Sequence, residues 1–104
     1  MLFLTYWELN ENMAIEERQQ VAQRIMSSGL FPPKGVNIVH WSVTPDGWGV
    51  LVSEAETAAD VSDALNIWRT GGKGFFKSTK TGPAQSIQDA LTRQAELLKA
   101  LGST

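Results

Sequence analysis

The stretch VNIVHWSVTPDGWGVLVSEA, residues 36–55, decides how the chain is read. Two runs of β-branched and aromatic residues flank TPDG, which has proline at the second position of a type I turn and glycine at the fourth, where a left-handed bulge residue belongs. Strands over Val36–Thr44 and Trp48–Ala55 follow, joined by a loop of Pro45, Asp46 and Gly47. In that register Thr44 stands opposite Trp48, Ser42 opposite Val50, His40 opposite Val52 and Ile38 opposite Glu54. Paired residues point to one side, so one face carries Ile38, His40, Ser42, Trp48, Val50 and Val52. The other carries Val39, Trp41, Val43, Gly49 and Leu51. This second set is the more uniformly apolar and is the expected helix-packed core, with Trp41 against the helix of Trp68. The first set mixes imidazole, hydroxyl and indole groups into an apolar row that a wet sheet face would not show, so a cover is expected there. Either a second subunit or the terminal helix folded beneath the sheet would serve.

Outward from the hairpin, Leu2–Leu9 reads as a first strand, rich in aromatic and aliphatic residues with no helix start before it. Asn12 is the expected cap of a helix whose apolar stripe is Ile15, Val21, Ala22, Ile25 and Met26, ended by Gly29 and barred from continuing by Pro32 and Pro33. After the hairpin, Thr57 and Asp60 resemble a capping box ahead of Val61, Ala64, Leu65 and Trp68, which share one helical face until Gly71 and Gly72. Phe75–Thr81 is the expected fourth strand. Ser86 then caps a last helix carrying Ile87, Leu91, Ala95, Leu98 and Leu101 on one side. The order βαββαβ with an extra C-terminal helix is the split βαβ, ferredoxin-like α+β fold, in which two helices cover one face of a four-stranded antiparallel sheet. One domain over residues 1–104 is expected.

A monomer of 104 residues buries about two thirds of the surface its unfolded chain exposes, so a partner covering an apolar face would add appreciably to stability. The formal net charge of −2 argues against a general nucleic-acid binder. There is no cysteine, which removes disulfides, thiolate metal sites and cysteine nucleophiles together. The opening MLFLTYWELNEN is too short in its apolar run and too quickly acidic for a signal peptide or a membrane span, so a cytoplasmic location and no membrane partner are expected.

Histidine is the side-chain type whose unperturbed charge change falls near neutral pH, and His40 is the only one present. It is the candidate catalytic residue, a general base beside Ser42 and Trp48. The plainer alternative is a structural histidine satisfied by a neighbour, since no oriented third group completes a triad. One histidine without cysteine does not complete a zinc site within a subunit, and neither a metal nor a cofactor is expected. From Ala64 to Gln88 the chain holds Arg69, Lys73, Lys77 and Lys80 and no acid, and the glycines of TGGKGFF, residues 70–76, would let backbone approach an anion. A solvated strand whose lysines discourage edge pairing is the alternative. Core packing accounts for Trp7, Trp41 and Trp68, and Trp48 is the exception; the candidate ligand contacts are Trp48, Ser42, Lys77 and Lys80, with Trp7 as a further candidate should strand one join the site.

The segments HW, DGWGV, ALNIW and GFFKSTKTGPA, in this element order, resemble the bacterial domain-of-unknown-function family 3303 (DUF3303) over nearly the whole chain. That family is similar to the dimeric α/β-barrel superfamily, and the resemblance implies two ferredoxin-like subunits whose open sheet faces meet around a pair of cavities. Pro83 is followed here by Ala84, where the family usually has Pro-Val. The resemblance implies no established activity; the wider superfamily includes cofactor-free monooxygenases, haem-degrading enzymes and simple binding proteins. The leading expectation is a homodimer binding a small planar or acidic organic ligand in a sheet-face cavity lined by His40, Ser42 and Trp48, joined by Trp7 and Phe3, with Lys77 and Lys80 attracting its negative end. A cofactor-free oxygenase or isomerase with His40 as base is the second expectation. A structural or regulatory dimer without a ligand site is the third.

Overall fold

The TPDG turn closes as its residues require: the Thr44 N–H donates to the Trp48 carbonyl at 2.7 Å, the Gly47 N–H donates to the Thr44 carbonyl at 3.1 Å, and Gly47 has a φ of 80°. Only glycine takes that left-handed angle without a steric penalty. A computed structural model describes residues 1–102, with the elements β1 (Leu2–Leu9), α1 (Ile15–Ser28), β2 (Val36–Val43), β3 (Trp48–Ala55), α2 (Ala58–Gly71), β4 (Phe76–Ala84) and α3 (Ile87–Ala100). All strand pairs are antiparallel and the sheet order is β2-β3-β1-β4. This is the ferredoxin-like fold with an added C-terminal helix that the sequence pattern predicts.

One face of the sheet lies under α1 and α2. Phe3, Thr5 and Trp7 of β1 and Leu51, Ser53 and Ala55 of β3 are buried there, alternating with more accessible neighbours. Val21 and Ile25 of α1, Ala64 and Trp68 of α2, and Phe31 and Phe75 from the loops form the larger core cluster. Phe3, Val36, Ala55 and Val61 form a smaller one. Each fully buried large apolar side chain contributes about 1.5–3 kcal/mol through removal from water. Trp41 meets Trp68 edge-on at 5.8 Å between ring centroids, as the hairpin register predicts.

Four expectations are corrected. A bulge between Ile38 and His40 pairs Ile38 with Ser53 rather than with Glu54, which turns Ile38 toward the helices. One extra residue in a strand inverts the facing of everything beyond it. The cap of α1 is Ala14, not Asn12, and makes no side-chain bond. Asn10 organises the turn instead: its Oδ1 accepts the Asn12 N–H at 3.0 Å and its Nδ2 donates to the Gly74 carbonyl at 2.9 Å. β4 starts one residue later than expected and runs on through Pro83 to Ala84. Proline is tolerated because β4 is an edge strand. Lastly, Trp7 and Phe3 face the helices and not the open side of the sheet.

The caps of the other two helices stand as predicted. Thr57 Oγ1 accepts the Asp60 N–H at 3.3 Å and Ser86 Oγ accepts the Asp89 N–H at 3.0 Å. The terminal helix α3 buries none of its residues, so the open sheet face is not covered by it, and the molecule measures 58 × 29 × 18 Å.

Candidate functional site

The register of the sheet sorts the candidate residues onto two faces. On the open face the four-strand rows run Ser42, Val50, Tyr6, Lys80 and then His40, Val52, Leu4, Gly82. His40 Nε2 lies 3.0 Å from Ser42 Oγ, so these two candidates do meet. Trp48 packs on the same face against Tyr6, with ring centroids 6.0 Å apart. Lys80 shares the face, but β4 and β2 are opposite edges, and three strand spacings of about 4.8 Å put it roughly 14 Å from the His40 strand. One subunit therefore does not join the lysines to His40.

Lys77 is occupied. Its Nζ lies 3.2 Å from Glu8 Oε2, while the Tyr6 hydroxyl donates to Glu8 Oε1 at 2.7 Å. The hydrogen bond from Tyr6, then the one from Lys77, hold the Glu8 carboxyl below the usual carboxylate range, against a smaller opposing effect of burial. The same bond, with burial and the negative charge of Glu8, pushes the Tyr6 phenol up. The trio is a polar patch beside exposed apolar residues of the same face, where Leu4 is 49% exposed, Trp48 43% and Val50 38%.

The other face holds what sequence reasoning missed. Between the sheet and the two helices is a cavity of about 290 Å³. Trp7, Trp41, Trp68, Phe31, Phe75 and Phe76 form its aromatic walls, with Ala22 of α1 and Ala64 of α2 on the helix side. Trp68 sits at the centre of this group, with Phe75 at 5.2 Å, Phe31 at 5.4 Å and Trp41 at 5.8 Å between centroids. The two alanines leave more space on the helix side than larger apolar side chains would. Partly exposed Trp41, Val43 and Met26 mark where it reaches the surface.

Trp7 reaches this cavity because its partner across the strands is Gly49. A Cβ at Gly49 would stand 2.1 Å from the Ser42 carbonyl oxygen and 2.6 Å from Trp7 Cζ2. Trp7 is thus a wall of the helix-side cavity, and of the three expected aromatic contacts, Trp48, Trp7 and Phe3, only Trp48 shares the open face with His40. The sequence carries only a partial signal, the small Ala22 and Ala64 on the helical faces that line the space. Among the described residues no three of His, Asp and Glu come together to hold a metal ion. Among the described residues no helix is long and apolar enough to cross a membrane.

The family described as Domain of unknown function (DUF3303) matches residues 1–97. No curated protein matches the chain at a significant level. Among solved structures, the fold is similar to a candidate antibiotic biosynthesis monooxygenase from Nitrosomonas europaea, at 14% identity and a TM-score of 0.51, over 83% of this chain and 97% of that one. It is similar also to a protein of Agrobacterium tumefaciens, at 12% identity and a TM-score of 0.50, over 85% and 95%. The chain spans 44% of the length of a microcompartments protein from Desulfitobacterium hafniense, with 14% identity and a TM-score of 0.48 over 85% of this chain, too loose a likeness to carry an argument. At these identities the likeness is one of fold alone.

Proposed function

The chain belongs to the DUF3303 family, and we propose that it binds a small planar organic molecule in the aromatic cavity between the sheet and its two covering helices. The observation that carries this reading is the cavity itself, about 290 Å³ walled by three tryptophans and three phenylalanines. An apolar cavity of about 150 Å³ is enough for benzene and stays dry when empty, so this volume suits a bicyclic ring. Aromatic walls favour a planar guest through offset and edge-on ring contacts. The site differs from the sheet-face cavity expected from alternation, because Trp7 stands on the helix side.

Binding is read directly from tryptophan fluorescence and thermal shift with naphthalene or indole. The wild-type protein takes up the ring with quenching and a raised Tm, whereas Ala22→Leu, which fills the cavity from α1, folds and does not bind. An absence of binding to the wild-type protein, or unchanged binding to Ala22→Leu, overturns the reading. The first outcome would leave a structural or regulatory dimer as the better account.

The open face supports a second, compatible reading, that two copies pair through it. Strands of eight or nine residues at about 3.3 Å each, with four strands about 4.8 Å apart, give a face of roughly 26 by 19 Å, or about 500 Å² in projection. Side-chain relief raises the accessible area toward the roughly 800 Å² per partner of a standard interface. Leu4, Trp48 and Val50 would form its apolar centre. Sedimentation equilibrium then gives a dimer for the wild-type protein and a monomer for Val50→Lys; a wild-type monomer at micromolar concentration counts against pairing. A cofactor-free oxygenase or isomerase with His40 as base requires its substrate on this open face, because the sheet stands between His40 and the aromatic cavity.

A further inference from the structure

A second cleft adjoins the aromatic cavity. It has a volume of about 270 Å³, lies between the last turn of α2 and the start of the edge strand β4, and is bordered by Arg69, Lys73 and Lys77 together with the hydroxyl side chains Ser78 and Thr79. No acidic residue lines it. Phe75 and Phe76 line both spaces, so these two residues lie at the boundary between them. The chain reinforces the junction: Trp68 lines the cavity and the next residue, Arg69, lines the cleft.

The cations of the cleft differ in what they already hold. Lys77 is paired with Glu8. Arg69 donates to the Thr79 hydroxyl, a neutral acceptor, and among the described residues neither it nor Lys73 forms an ion pair with a carboxylate. A guanidinium has five N–H donors, so one bond to a hydroxyl leaves most of its capacity for an anion. Apolar walls on one side of this boundary and unpaired cations on the other are complementary to a molecule with those two parts.

We propose that the ligand is an aromatic carboxylic acid, its ring among Trp7, Trp41 and Trp68 and its carboxylate past Phe76 on Arg69 and Lys73. This rests on the reading of the cavity as a ligand site and adds the chemical class. Phe76, only half-buried, is the ring that yields to let the carboxylate through. Lys77 stays with Glu8 and sets the far limit of the cleft.

The test compares 2-naphthoate with 2-naphthamide, a planar neutral isostere, by titration calorimetry on the wild-type protein, on Arg69→Lys, and on Arg69→Gln combined with Lys73→Gln. The expected result is about tenfold tighter binding of the acid, the scale of one charge-assisted hydrogen bond. That preference falls with added salt. It persists in Arg69→Lys and disappears in the double variant, while the affinity for the amide is the same in all three proteins. Equal binding of acid and amide to the wild-type protein overturns the proposal and leaves the cavity reading standing. A preference that survives the double variant also overturns it, since the anion would then sit elsewhere. If neither compound binds, the cavity reading fails and this proposal with it.

Discussion

The two faces of the sheet are built from similar amounts of apolar side chain, yet they differ in what they meet. On the helix side, Phe3, Trp7, Leu51 and Trp68 are buried, and an aromatic-walled space remains that opens to the surface at Trp41, Val43 and Met26. On the other side, Leu4, Trp48 and Val50 are exposed and lie among His40, Ser42, Lys80 and the Tyr6–Glu8–Lys77 cluster. Hydrophobic content alone therefore does not tell a core from an interface. The discriminating feature is what packs on each face: α1 and α2 cover the helix side, where Gly49 admits the Trp7 ring and Ala22 and Ala64 line the remaining space, whereas no element packs on the open face among the described residues.

The largest effects are expected where this contrast is sharpest. Trp68→Ala removes the ring at the centre of the aromatic cluster and costs about 3–5 kcal/mol, a large share of the 5–15 kcal/mol typical of a domain. Gly49→Ala is expected to be similarly disruptive, because the new methyl meets a backbone oxygen and the Trp7 ring together. Chemical denaturation measures both. By contrast Val50→Lys, one strand position away but on the opposite face, leaves the monomer's secondary structure intact and changes the sedimentation behaviour instead. A loss of folding in Val50→Lys comparable to that in Trp68→Ala would erase the distinction between the faces.

A smaller effect is expected from the polar patch. Glu8 has its pKa lowered by the Tyr6 hydrogen bond and by Lys77, so its contribution to stability is present above the ordinary carboxylate pKa and is lost as pH falls through the depressed folded-state value. Tyr6 has its pKa raised, so its contribution is present below the ordinary phenol value and lost as pH rises through the raised one. Glu8→Gln should flatten the acid limb of a plot of Tm against pH without moving the neutral plateau much; an unchanged acid limb would mean the trio adds nothing in solution. The smallest effect is expected from His40→Ala. It leaves ring binding in the cavity within about twofold, since its side chain contacts Ser42 on the far side of the sheet. A tenfold loss would put the ligand on the open face after all.

Much of this contrast was legible in the chain itself. TPDG set the hairpin loop, and with it the pairing of His40 with Val52 and of Ser42 with Val50. Trp41 and Trp68 followed from alternation and from helical spacing, and both face the core. The bulge at Val39 was not legible, because VNIVHW alternates as plausibly without an extra residue, and only the pairing with Ser53 reveals it. In LFLTYWEL both rows read as apolar, so pattern did not choose which of Trp7 and Tyr6 faced inward. The glycine opposite Trp7 makes the choice, through a contact between strands more than 40 residues apart in sequence. The cavity was hidden for a related reason: its volume is set by how far two alanine-bearing helices stand from the sheet, a distance that no single segment encodes. The family likeness led to the fold correctly, and the cavities it implies would form only between two facing sheets, for which the open face carrying Leu4, Trp48 and Val50 is the surface available.

The most direct test of which face holds the ligand is a crystal structure of the protein soaked with 2-bromonaphthalene, located by its anomalous signal. The account predicts a bromine peak among Trp7, Trp41 and Trp68. A peak beside His40 and Ser42, with the space between sheet and helices empty, would contradict it.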